Sequence, residues 1–144
     1  MIKRAGIHEA GELAGLAIQM WTDQAPEDLT EEFRRLATKD DAVCLIQYAD
    51  DQPIAFAQCQ LRRDYVEGTG SSPVGYLEGI FVSEGYRKKG YAARLLSECE
   101  KWAKEKGCTE FASDCELDNR DSIGFHLSMG FEEANRIVCF RKEL

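Results

Sequence analysis

Residues 75–96 read Gly-Tyr-Leu-Glu-Gly-Ile-Phe-Val-Ser-Glu-Gly-Tyr-Arg-Lys-Lys-Gly-Tyr-Ala-Ala-Arg-Leu-Leu. A strand-like run over residues 75–82 passes into a basic turn bracketed by Gly85 and Gly90, and a helical pattern begins directly after it. The first amides of a helix lack partners within it, and the helix dipole adds partial positive charge at that end. Such a turn binds phosphate groups. Gly85 can take a positive φ, and Gly90 lets a ligand approach where a Cβ would clash. Arg87, Lys88 and Lys89 add positive charge at the same mouth. Glu78 enters it on the strand and interrupts an apolar run, where a carboxylate is costly without a partner or a chemical task. A phosphorylated ligand and a bound cation would therefore lie side by side.

The flanking sequence fits one α/β domain over residues 1–144. Residues 2–5 form a short strand candidate. Leu13, Leu16, Ala17 and Met20 recur at helical spacing before Trp21. Asp28 with Glu31 has capping-box spacing, and Phe33, Leu36 and Ala37 mark a second helix. A hairpin is predicted from strand formers over 42–48, a turn over 49–52 and alternation through Ile54, Phe56 and Leu61. The long helix over 89–106 has Leu95, Leu96, Cys99, Trp102 and Ala103 on one face and Gly107 as its C-cap. A strand over 109–114, a short helix over 122–129 closed by Gly130, and one or two closing strands over 133–142 complete the chain.

Composition narrows the function. Eighteen Lys and Arg against 26 Asp and Glu give a net charge of −8. That argues against nucleic-acid binding and suits a cationic partner or simply a solvated surface. The longest apolar run, residues 42–46, is far too short to span a bilayer, so no membrane association is expected. Without a secretory signal, the six cysteines read as reduced, mostly buried packing residues in a cytoplasmic protein. With only His8 and His126, and no Cys-x-x-Cys pair, a metal site has little to draw on, and none is expected.

Strand, Arg-x-x-Gly-x-Ala turn (Arg87, Gly90, Ala92), amphipathic helix, strand and helix together resemble the GNAT superfamily of acyl-CoA N-acyltransferases. The resemblance implies a GNAT-like fold: a mixed, mostly antiparallel twisted sheet of six or seven strands with a splayed central pair, flanked by about four helices. It implies acetyl-CoA as cofactor, its pantetheine arm along residues 79–82 and its pyrophosphate on the turn. The cofactor-binding residues are then Ile80, Phe81, Val82, Arg87, Lys88, Lys89, Gly90, Tyr91, Ala92 and Asn119.

Segments 63–68 (Arg-Asp-Tyr-Val-Glu-Gly), 71–74 (Ser-Ser-Pro-Val), 77–82, 112–114 (Ala-Ser-Asp) and 130–133 (Gly-Phe-Glu-Glu) are similar to one branch, the aminoglycoside 6′-N-acetyltransferases. That likeness implies an antibiotic-resistance enzyme, a homodimer, and a substrate site of Trp21, Asp23, Tyr65, Glu78 and Asp114. The charge logic agrees, because a polycationic sugar suits carboxylates and flat rings. Glu116, Asp118 and Asp121 are further sources of negative charge.

A primary amine must lose a proton before it attacks a thioester. Glu78 or Asp114 would accept that proton, and a strand amide, that of Val82, would polarise the carbonyl. Many GNAT enzymes carry a Tyr as general acid four residues before the glycine that here is Gly130. His126 fills that position, as a proton donor or as a packed helix residue. Acetylation of a polyamine, a peptide N-terminus or a protein lysine is the first alternative, and a non-catalytic acyl-CoA-binding module the second.

Overall fold

A computed structural model describes residues 1–144. One five-stranded sheet runs in the order β1-β2-β3-β4-β5, with β1 Ile2–Arg4, β2 Ala42–Ala49, β3 Gln52–Arg62, β4 Val74–Val82 and β5 Phe111–Ser113. The first three pairings are antiparallel and β4–β5 is parallel. Helices α1 (Ala10–Ala17), α2 (Pro26–Ala37), α3 (Tyr91–Glu105) and α4 (Arg120–Ser128) complete the fold.

The β2–β3 hairpin turns at Asp50 and Asp51, both with positive φ, as a two-residue turn matching the strand twist requires. Two apolar layers follow from the alternation along the strands. Leu13, Ala17, Phe33 and Leu36 of α1 and α2 pack with Ile46 and Phe56 on one face. Leu95, Leu96, Cys99 and Trp102 of α3 pack with Leu45, Ala57 and Leu77 on the other. Gly75 makes the second layer possible, because a Cβ there would fall 2.7 Å from the Cβ of Ala103 and 2.7 Å from the Phe111 ring. As the helical period requires, α3 buries one stripe and ends in Gly107 at φ +91°.

Two expectations are corrected. Helix α2 starts at Pro26 with Ala25 as N-cap and no side-chain cap, so Asp28 is not the cap. Proline is preorganised for the first helical position, which leaves Glu27 and Asp28 in the first turn where the dipole favours acids. The sheet has five strands rather than six or seven, because residues 132–144 join no ladder. Their alternating apolar residues suit a strand, but the outer edge of β5 stays unpaired, because the tail is held beside the 67–68 loop instead. There Asn135 Nδ2 donates to Glu67 Oε1 at 2.9 Å, and Ile137, Val138 and Phe140 remain exposed. The splayed pair β4–β5 consequently lies at the sheet's edge and not at its centre. Four cysteines, Cys44, Cys59, Cys99 and Cys108, are buried; Cys115 and Cys139 are exposed, and all six are free thiols.

Candidate active site

The site is built on an irregularity in β4. Gln58 pairs with Gly79 but Cys59 pairs with Leu77, so Glu78 is an extra residue in β4. Such a bulge breaks the alternation of faces. Leu77 and Ile80 accordingly both pack in the α3 layer, while Phe81 packs toward α1 and α2.

Glu78 is not a lone acid. Arg62, at the end of β3, donates to both its oxygens, Nε to Oε1 at 2.9 Å and Nη2 to Oε2 at 2.8 Å. The same guanidinium lies over the Tyr76 ring, with Cζ 3.5 Å from the ring centroid. The Tyr76 hydroxyl in turn donates to Asp114 Oδ2. Glu78, Arg62, Tyr76 and Asp114 thus form one connected group that bridges β3, β4 and the end of β5. Burial and the bond to Asp114 raise the Tyr76 phenol above its ordinary pKa, and the bond to Glu78 does the same for Arg62.

The sheet opens beside this group. Parallel pairing of β4 with β5 ends at Leu77 opposite Ser113, so residues 79–82 are laddered only to β3 and Glu78 to neither strand. Antiparallel bonding alternates along a strand. The Ser83 amide donates to Ile54 at 2.8 Å, which turns the N–H and C=O of Val82 toward the open side. Arg87 uses that carbonyl, donating from Nε at 2.8 Å and so clipping the following turn to the strand.

The turn takes positive φ at Gly85 (+71°), Lys88 (+61°) and Gly90 (+85°). Strain at a non-glycine residue such as Lys88 is the kind found at ligand sites. The amides of residues 87–93 donate to no backbone carbonyl, and no side chain caps α3. Gly90 has no atom within 4 Å of where a Cβ would stand. A row of free amides over open space, flanked by Arg87, Lys88 and Lys89, fits a diphosphate. Asn119 instead caps α4, accepting the Ser122 amide at 3.1 Å.

His126 lies across the opening from Glu78. Its Nδ1 is 2.7 Å from the Ser122 carbonyl and its Nε2 2.8 Å from Ser113 Oγ. A carbonyl only accepts, so Nδ1 donates to Ser122, while Nε2 faces the Ser113 hydroxyl, which also donates to the Leu77 carbonyl at 3.3 Å. The ring also packs against Phe131, with centroids 5.0 Å apart.

Trp21 stands at the same mouth. It packs edge-on against Phe56, and a Cβ at Gly79 would fall 2.9 Å from its ring. With Asp28, Glu32, Phe33 and Gln58 it lines an open cavity of 340 Å³. Tyr65, 76% exposed, and Asp23 stand in solvent, and neither bonds to the acid group. Glu78, Asp114, His126 and Trp21 are therefore brought together around the opening. Arg62, Tyr76, Ser113, Asp28 and Glu32 escaped the sequence reading. Arg62 carried one usable signal, a cation at a strand end two residues past polar Gln60, but the bulge that aims Glu78 at it leaves no periodic mark.

Residues 11–131 match the Acetyltransferase (GNAT) family. An aminoglycoside N(6′)-acetyltransferase type 1 of Serratia marcescens is 42% identical over 130 residues, covering 90% of this chain and 89% of that protein. The solved structure of aminoglycoside N-acetyltransferase AAC(6′)-Iy with CoA has a TM-score of 0.96 at 34% identity and covers 100% of this chain and 95% of that one. AAC(6′)-Iy with a bisubstrate analogue, CoA-S-monomethyl-acetylneamine, has a TM-score of 0.95 at 34% identity, covering 100% and 98%.

Proposed function

Because the chain belongs to the Acetyltransferase (GNAT) family, we propose that it is an acetyl-CoA-dependent aminoglycoside 6′-N-acetyltransferase, an enzyme of antibiotic resistance. One observation carries the reading: two carboxylates, Glu78 and Asp114, stand where the β4–β5 ladder opens, and the open edge of residues 79–82 leads from them toward a row of unbonded helix-start amides. Cation site and anion site stand at the two ends of that edge. The named relatives support the same substrate and cofactor.

Acetyl-CoA supplies the acetyl group as an activated thioester. The amides of residues 87–93, with Arg87, Lys88 and Lys89, would hold its diphosphate, and the open edge at residues 79–82 its pantetheine arm. Tyr91 and Ala92 contribute first-turn amides, and the Asn119 side chain retains its amide nitrogen for the same ligand. Glu78 and Asp114 orient the substrate ammonium, and one of them takes its proton as the amine attacks. The Val82 amide, turned to the open side, stabilises the developing oxyanion. His126 presents Nε2 to the Ser113 hydroxyl beside the opening and so holds that side chain at the edge of the site. Trp21 offers a ring face to the sugar, with Asp28 and Glu32 as further partners for its remaining ammonium groups. Asp23 and Tyr65 complete the substrate site in this reading.

A single-domain, cytoplasmic homodimer belongs to this reading. The exposed apolar tail residues Ile137, Val138 and Phe140 support it, since such residues suit burial against another chain.

The test is release of free thiol from acetyl-CoA with kanamycin or tobramycin, with spermidine and a lysine peptide as comparisons. Release with the antibiotics is expected. Release only with spermidine or the peptide would move the enzyme to another substrate class, and release with none would leave an acyl-CoA-binding module.

A further inference from the structure

A cation inside a pocket for a cation calls for a reason. Arg62 occupies both oxygens of Glu78 at 2.9 and 2.8 Å and stacks on Tyr76, which itself donates to Asp114. Strand stability is not a sufficient reason, because the Arg62 side chain is 42% exposed and exposed ion pairs contribute little. The geometry has a chemical consequence instead. A carboxylate gripped by a guanidinium fork on both oxygens is a poor proton acceptor. Asp114 receives a neutral phenol on Oδ2 and keeps Oδ1 for another partner. The charges of Glu78, Asp114 and Arg62 leave the group with one net negative charge.

We propose that Arg62 is a positioning residue that occupies both oxygens of Glu78, leaves Asp114 as the proton acceptor, and matches the site to a single substrate ammonium. This rests on the amine-acetylating function proposed above and deepens it. Substrate binds against Glu78 without taking it from Arg62, and the proton leaves the amine for Asp114 Oδ1.

The sign of the test is unusual. Arg62→Gln removes the internal cation, so kanamycin should bind the CoA-free protein about five-fold more tightly by calorimetry, and the gain should shrink in high salt. In steady state the KM for kanamycin falls, while kcat drops about ten-fold because Glu78 is no longer held. Arg62→Lys keeps the charge but loses the fork, so affinity stays near wild type and kcat is lowered. Asp114→Asn should reduce kcat about 10³-fold, and Glu78→Gln far less. Weaker or unchanged kanamycin binding in a folded Arg62→Gln variant would overturn the proposal, as would a larger kcat loss for Glu78→Gln than for Asp114→Asn. Should Arg62→Gln fail to fold, that ranking of the two acid variants decides alone. A wild-type protein that acetylates no amine defeats the proposed function; one that acetylates kanamycin while the variants depart from this pattern defeats only the role of Arg62.

Discussion

The two halves of β4 differ in everything but their chain. Residues 74–77 are buried, and 75–77 are laddered on both sides, to β3 and to β5. Residues 78–82 are half-buried, and 79–82 are laddered on one side only. The bulge at Glu78 marks the border. Before it, Val74 and Leu77 are spent on packing, and Tyr76 is buried up to the hydroxyl that meets Asp114. After it, one edge carries polar groups with no strand to satisfy them, which is a ligand's opportunity. A strand thereby anchors a site in the core and presents it at the surface without any loop.

Two glycines, one in each half, break or sharpen this contrast under the same substitution. Gly75→Ala puts a Cβ 2.7 Å from the Ala103 Cβ and 2.7 Å from the Phe111 ring. Ala103 belongs to α3 and has no rotamer to escape with, so the helix must move. The expected cost is about 3 kcal/mol in urea unfolding, with residual activity following the folded fraction. Gly79→Ala meets the Trp21 ring at 2.9 Å and the Met20 methyl at 3.3 Å, both ends of movable side chains. Stability should fall by less than about 1 kcal/mol, while the KM for kanamycin rises about five-fold as Trp21 is displaced. Equal destabilisation by the two substitutions would erase the distinction between the halves.

Legibility in the sequence followed the same border. The turn after β4, helix α3 and the hairpin at Asp50 and Asp51 were readable because each rests on local rules: glycine where φ is positive, a 3.6-residue stripe, a two-residue turn. Glu78 stood out as a carboxylate interrupting an apolar run, whereas Asp114 was named only through the likeness of segment 112–114 to a family branch. Arg62 and Tyr76 were not readable, because their roles depend on a one-residue bulge inside an almost wholly apolar strand, where no alternation exists to be broken. The tail over 133–142 has strand-forming residues, yet the outer edge of β5 stays unpaired, and local propensity carries no information about edges. Asp28 lost the cap of α2 to a proline two residues earlier, a contest between two local rules that the fixed φ of proline wins.

Tyr76 sits on the border, and its hydroxyl gives the smallest expected effect. Tyr76→Phe keeps the ring under Arg62 and removes only the bond to Asp114, so stability should fall by about 1 kcal/mol near neutral pH, with a few-fold loss of kcat. The pH dependence tests whether the phenol is held neutral in the fold, by burial first and by Asp114 second. The folded phenol ionises above its ordinary value of 10, because burial and the neighbouring carboxylate oppose its charge. Its contribution is therefore complete below pH 10 and is lost as pH rises from there toward the folded value. The stability gap between wild type and Tyr76→Phe must shrink on that alkaline side. Tyr48 is raised in the same way, but it is present in both proteins and cancels in the difference. A gap that stays constant across pH 10 would mean that neither burial nor Asp114 holds the phenol neutral, and the acid group would fall into two unconnected halves.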